Sequence, residues 1–143
     1  MHKKSLINLL LIFTLLGLAT SVYLVYNHYY PHLQGGICDI TASVSCTVVN
    51  SGPYSTILRI PVAIYGIVWF LIFGFFCWKA LTENGVLPKV LGWNILGILF
   101  IIYFIYIEYV LGTVCPFCTV VHVLIAISLI ISIFLYKQFY KSA

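Results

Sequence analysis

Long apolar runs set the pattern of this chain: residues 6–26, 61–78, 90–111 and 115–136 are almost wholly hydrophobic, and polar side chains collect in the intervals between them. Each run has about 18 to 22 residues, or roughly 27 to 33 Å as α-helix, which matches the hydrocarbon thickness of a bilayer. The pattern therefore predicts an all-α integral membrane protein, a bundle of four transmembrane helices. The first run follows Lys3 and Lys4, as a signal peptide would. It exceeds the apolar region of such peptides, about 7 to 15 residues, and no small-residue cleavage site follows, so it reads as a retained helix. No repeat, low-complexity tract or Pro/Gly/Ser-rich linker divides the chain, so residues 1–143 are expected to form one domain.

Composition agrees with a bilayer as solvent. With 63% hydrophobic and only 7% charged residues among 143, the chain lacks the polar surface that a water-soluble domain requires. The few charges then report topology. Lys and Arg accumulate in short cytoplasmic loops and beside helix ends. Lys3 and Lys4 precede the first run, Lys79 and Lys89 bracket the link between the second and third, and Lys137 and Lys141 follow the fourth. An even number of crossings places all six on one side, so both termini are expected in the cytoplasm. Only Arg59 is left on the far face. The net charge of +4 is accounted for by topology and calls for no nucleic acid.

Facing outward with Arg59 are the short link 112–114 and an interval of about 34 residues, 27–60. Unstructured connections rarely exceed about 12 to 15 residues, so this loop is expected to act as a lid or binding segment. Val48 to Leu58 is semi-apolar, broken by Gly52 and Pro53, and reads as a short interfacial stretch. By contrast, the inner link 79–89 is brief, with Asn84-Gly85 and Pro88 as turn signals.

Four of the five cysteines form two pairs on this outer face: Cys38 with Cys46 in the long loop, and Cys115 with Cys118 at the start of the fourth helix. An extracytoplasmic compartment is where disulfides persist. If Cys115 is the N-cap, Pro116 takes the first helical position, where its missing N–H costs nothing, and Cys118 takes the third. The unpaired N–H groups and dipole of that first turn favour a thiolate. Cysteines three apart in regular helix hold their Cβ atoms about 5 to 6 Å apart, whereas a disulfide needs about 3.5 to 4.5 Å, so the irregular first turn is what allows the bond. Cys118 lies about 4.5 Å deeper along the axis than Cys115. The outer sulfur can thus meet the loop while the inner one faces the bundle. A CxxC alone also marks metal sites and thioredoxin-like folds, but no further short-spaced ligands accompany it and no alternating strands and helices surround it. The sequence is read as metal-free. A second pair in the only loop able to reach the motif points to electron relay. The competing reading is a structural or metal-handling four-helix protein with bracing disulfides, a small Cys38–Cys46 ring adding roughly 2 to 3 kcal/mol.

Taken together, Cys38-Asp39-Ile40-Thr41-Ala42-Ser43-Val44-Ser45-Cys46, the following Asn50-Ser51, the Ile60-Pro61-Val62-Ala63 opening of the second helix and Cys115-x-x-Cys118 resemble the vitamin K epoxide reductase (VKOR) family over nearly the whole chain. The resemblance implies a four-helix bundle around a quinone such as ubiquinone or menaquinone, capped by the extracytoplasmic loop. Bacterial and archaeal members resemble DsbB-type enzymes, which oxidise a thioredoxin-like or DsbA-like partner and pass electrons to a membrane quinone; supporting disulfide formation is the activity implied here. By the same resemblance Cys118 is the quinone-proximal cysteine and Cys115 its partner. In animal members the position of Cys46 bridges to that of Cys115 and the Cys38 position meets the external partner. In a prokaryotic relative the two loop roles are interchanged, so they stay open. Ser51 and Tyr54 correspond to positions near the quinone.

Two departures bear on substrate. His122 stands where animal enzymes carry a pocket tyrosine, and the animal pocket asparagine has Val62 as its nearest match. Epoxide reduction, the alternative activity, is therefore less expected than plain quinone reduction. One turn below Cys118, His122 is placed to donate a hydrogen bond to a quinone oxygen and to handle protons. No thioredoxin domain follows the fourth run before Ala143, which implies a separate donor protein. Glu108, near the outer end of the third run, is an intramembrane carboxylate and so a candidate for function, or for a hydrogen bond near Thr113. His28 and His32 have metal-compatible spacing but read as interfacial histidines beside Tyr29 and Tyr30. Cys77 reads as packing, and Gly66, Gly74, Gly92 and Gly97 as points of close helix contact.

Overall fold

The computed structural model describes residues 2–31 and 37–140. Its elements are α1 (Lys3–Tyr29), a short α2 (Cys46–Ser51), strands β1 (Thr56–Ile57) and β2 (Ile60–Pro61), then α3 (Val62–Ala80), α4 (Leu87–Leu111) and α5 (Pro116–Leu135). A 3₁₀ turn over Asn84–Val86 leads into α4, and α5 widens into a π-helical turn at Tyr136–Tyr140. Among the described residues, four helices are long and apolar enough to cross a membrane. The protein is a four-helix, multi-pass membrane protein.

Helix ends depart from the apolar runs where polar side chains join a helix without cost. α1 starts at Lys3 and continues through Asn27 and His28 to Tyr29, because Lys3 can reach out of the hydrocarbon while Asn27 and His28 find hydrogen-bond partners on α2. α4 starts at Leu87 rather than at residue 90, with Pro88 inside its first turn. The proline that reads as a turn signal thus opens the helix, since first-turn N–H groups have no helical partner in any case.

Packing is tightest between α1 and α3. A Cβ on Gly17 would clash with the tip of the Phe70 ring, one on Gly66 would come 2.9 Å from Ser21 Oγ, and one on Gly74 would come 2.9 Å from Thr14 Cγ2. Small residues let the backbones approach, and in lipid such van der Waals contact is a main source of helix association. Gly97 makes the same allowance for Trp69 across α3 and α4, whereas Gly92 faces open space and marks no helix contact.

The bundle buries an apolar core that includes Ile7, Leu10, Phe70 and Phe73 together with a few small polar groups, and it leaves further large apolar side chains on its outer surface. Thr14, Ser21, Asn94, Ser128 and Ser132 are buried, while Leu15, Leu71, Ile102 and Ile130 are exposed on the helix surfaces. Buried hydroxyls return to the preceding turn, Thr14 Oγ1 donating to Leu10 O (2.9 Å) and Ser132 Oγ to Ser128 O (2.7 Å). Asn94 Nδ2 links helices by donating to Ser132 Oγ at 2.9 Å. Outward apolar surface of this extent is what acyl chains solvate.

At one end of the bundle Lys3 Nζ donates to Asn84 Oδ1, which ties the start of α1 to the α3–α4 link. Lys79 and Lys89 flank that link; Lys141 lies outside the described residues. At the other end stand the cysteines and Arg59. Arg59 shares with Leu58 the tip of the β1–β2 hairpin, both at positive φ (67° and 53°), the backbone of a two-residue turn between twisted strands. The semi-apolar stretch after Val48 is therefore divided between α2 and this hairpin.

Candidate functional site

The site begins with the loop that precedes α2. Asp39 gathers it: its carboxylate accepts from Ser45 Oγ, from Thr47 N–H at 3.0 Å and from Thr47 Oγ1 at 2.6 Å. Ser45 in turn N-caps α2, its Oγ accepting from Val48 N–H at 3.1 Å. Burial acts to raise the Asp39 carboxyl, but the hydrogen bonds from Ser45, Thr47 and the Cys46 backbone prevail and hold it below the ordinary carboxylate value. Cys46 is thus fixed as the first residue of a capped helix.

This loop is stitched to the α4–α5 link by backbone. α4 ends on Gly112 (φ 64°), whose left-handed conformation suits glycine and turns the chain out of the helix. The emerging Val114 N–H donates to Ser43 O at 2.9 Å, Ser45 N–H donates to Val114 O at 3.0 Å, and Thr113 Oγ1 donates to Ala42 O at 3.2 Å. Cys46 and Cys115 each follow a stitched residue, so their sulfurs meet: Sγ to Sγ is 3.3 Å. Both side chains are fully buried, and Cys38 is 3% exposed.

Cys38 is bonded to Cys46 and Cys115 to Cys118. Cys115 is the N-cap of α5, Pro116 is its first residue, and the Cys118 N–H donates to Cys115 Sγ at 3.2 Å. The order in space is Cys38, Cys46, Cys115, Cys118, a row of four sulfurs running from loop to bundle. Around it Tyr23 of α1 packs on Phe117, ring centroids 4.8 Å apart.

Beneath Cys118 a cavity of about 490 Å³ lies among α1, α3, α4 and α5, within the usual range for small-molecule sites, about 300 to 1,000 Å³. Its wall is almost entirely apolar, from residues such as Leu24, Phe70, Phe104 and Ile125, and the few polar groups include Cys118, His122, Glu108, Asn50 and Tyr54. The His122 ring stacks against Phe104 at 6.4 Å. Trp69 also lines the cavity, and its buried indole N–H has no hydrogen-bond partner among the described residues.

Of the residues singled out in the sequence, Cys118, Tyr54 and His122 line the cavity, whereas Ser51 is exposed and does not. The helical phase of α2 turns its neighbour Asn50 inward instead. Asn50 is held there by donating to Leu24 O and by its own carbonyl accepting from His28 Nδ1 at 2.6 Å. His28 is thus engaged in tying α2 to α1; His32 lies outside the described residues. Cys77 is buried in the core of α3 with Leu10 and Phe73, away from the other sulfurs. Asp39 and Asn50 stand among the residues that carry the resemblance, but the linear pattern gives no signal that Asp39 is a clasp, that Asn50 rather than Ser51 turns inward, or that Trp69 lines a cavity. A Ser and a Thr six and eight residues after an aspartate, beside a cysteine, is the nearest thing to one.

Glu108 is buried. Its carbonyl accepts from Thr113 N–H at 3.2 Å, while its carboxylate accepts from Cys115 N–H at 3.1 Å. The carboxylate oxygen, Cys115 Sγ and Cys118 Sγ lie within 4.8 Å of one another. Comparison with known proteins gives one family: the model described as the vitamin K epoxide reductase family matches residues 8–133. No curated protein matches the chain.

Proposed function

Because the chain belongs to the vitamin K epoxide reductase family, whose members are membrane redox enzymes, we propose that it oxidises a thioredoxin-like protein through its two cysteine pairs and passes the electrons to a membrane quinone. The observation that carries this reading is the 3.3 Å approach of Cys46 to Cys115. Two disulfides that served only to brace the fold have no need to abut, whereas exchange requires that they do.

The relay runs by thiolate exchange. A partner thiolate attacks Cys38 of the loop disulfide and releases the Cys46 thiolate. Cys46 attacks Cys115, and the bond to Cys118 breaks, leaving a thiolate on Cys118 at the cavity wall. The second partner thiol resolves the mixed disulfide at Cys38; Cys38 then recloses on Cys46 and frees Cys115. The Cys115 thiolate is a good leaving group in this last exchange, because the Cys118 N–H and the first turn of α5 face it. Two electrons have then moved from partner to the Cys115–Cys118 dithiol. The 3.3 Å approach to Cys115 supports Cys46 in the inner exchange, with Cys38 meeting the partner.

The cavity residues fit a quinone: apolar walls for ring and tail, and an unpartnered Trp69 N–H as a hydrogen-bond donor. Bound there, a quinone supplies a two-electron, two-proton acceptor. Cys118 and Tyr54 on the cavity wall would hold such a group beside the inner cysteine pair, where closure of Cys115 on Cys118 would supply its electrons, and His122 would hold one proton on the cavity side. The wall residue Val62 offers no amide, which supports plain quinone over epoxide as substrate. The cationic end of the bundle is assigned to the cytoplasm, so both termini lie there and the row of sulfurs lies outside.

The test is quinone-dependent oxidation of a reduced thioredoxin-like protein by membranes carrying each single cysteine variant. Cys118→Ala is expected to abolish quinone reduction and to stop after one exchange, the partner thiolate opening Cys38–Cys46 through a mixed disulfide at Cys38 and the loop pair then staying reduced because Cys115 has no disulfide to pass on. Turnover only with a quinone epoxide and a dithiol would overturn the direction proposed here.

A further inference from the structure

Closing a dithiol to a disulfide releases two protons with its two electrons, and the sulfurs that do so lie where water is scarce. Cys115 is fully buried and Cys118 faces an apolar cavity. The proton acceptor must therefore be built into the wall. Glu108 meets that need. It is one of three acidic residues in the chain, it is buried near the end of a membrane helix, and such a carboxylate is retained at a cost that structure alone seldom repays. Its carboxylate lies within 4.8 Å of both sulfurs, lines the same cavity as Cys118 and His122, and uses one oxygen to accept from Cys115 N–H.

Resting on the function set out above, we propose that Glu108 is the proton carrier of the inner cysteine pair: it takes one proton from the closing dithiol and delivers it to the acceptor in the cavity. The balance is complete with His122. Dithiol plus quinone gives disulfide plus hydroquinone. Two electrons pass from the thiolates to the acceptor as the Cys115–Cys118 bond forms, one proton passes by way of Glu108, and the other by way of His122. Each group ends as it began once the thiols have supplied it.

The titratable groups facing Glu108 are Cys115, Cys118 and His122 from α5, Cys46 from α2 behind Cys115, and Tyr54 and Tyr65 on the cavity wall. Among the described residues no lysine or arginine lines the cavity. The carboxylate has no fixed cation to hold it ionised, which leaves it free to change protonation with the thiols.

Glu108→Gln separates carriage from scaffolding, since the amide oxygen still accepts from Cys115 N–H but cannot take a proton. One arm uses reduced, quinone-free protein and measures alkylation of Cys118 against pH. Cys115 couples to Cys118 in both proteins, so wild type is expected to show one coupled step more than Glu108→Gln, with Glu108→Asp restoring that step. The second arm measures quinone reduction, where Glu108→Gln is expected to lose on the order of 10²-fold in kcat with KM unchanged. Superimposable alkylation profiles for wild type and Glu108→Gln, or full activity of that variant, would overturn the proposal. Because alkylation needs no quinone, a wild type inactive toward every quinone would count against the function above and not against the carboxyl–thiol coupling.

Discussion

Each residue of the sulfur row is set by a different local cause, and those causes can be removed singly. Asp39 holds the loop through three hydrogen bonds, and its folded carboxyl is depressed. A depressed group contributes stability that is present above the unfolded value and lost as pH falls through the folded one. Reduction of the Cys38–Cys46 bond by a phosphine, which acts in acid, is therefore expected to accelerate as pH drops through that range; Asp39→Asn should be fast and flat across it. Ser45→Ala removes the cap of α2 and is expected to destabilise it by about 1 kcal/mol, read as faster proteolysis of the loop. His122→Ala is expected to lower quinone reduction by roughly 10²-fold or more while the partner still forms its mixed disulfide with Cys38. An equal loss of both would make His122 a packing residue. Cys115 and Cys118 were legible because a CxxC with proline at the second position announces an N-terminal turn. Asn50 was not, because which of Asn50 and Ser51 turns inward depends on the phase of a six-residue helix.

Among the helices, α1 and α3 depend on contact at small residues. Gly74→Val would drive a side chain into Thr14, and Gly17→Leu one into Phe70. Each is expected to cost about 1 to 3 kcal/mol, visible as a lower midpoint when helical circular dichroism is followed on heating in detergent; Gly92→Ala, facing open space, should leave it unchanged. Hydropathy identified all four long helices, since a bilayer accepts little else over that length. It misjudged their ends at Lys3, Tyr29 and Leu87, where polar residues and a proline extend the helix beyond the hydrocarbon. It also gave no sign of the two-residue strands of the hairpin, which are too short for any period to register.

For the molecule as a whole, orientation is the prediction that joins charge to chemistry. A membrane-impermeant thiol reagent is expected to reach Thr82→Cys, in the α3–α4 link, only from the cytoplasmic face, and Arg59→Cys, at the hairpin tip, only from the opposite face. Labelling in the reverse sense would place the sulfur row in a reducing compartment and remove the basis for disulfide export. Sequence alone determined the solvent, the four crossings, the two cysteine pairs and the order of the inner pair along its helix, because length, apolarity and i, i+3 spacing are local quantities. Tertiary structure decided how the pairs meet. Three hydrogen bonds between 42–45 and 113–114, segments about 70 residues apart, bring Cys46 to Cys115, and the crossing of four helices opens the cavity at Cys118 and turns Glu108 toward both sulfurs. No window along the chain contains those contacts, since they exist only once the loop has folded back onto the mouth of the bundle.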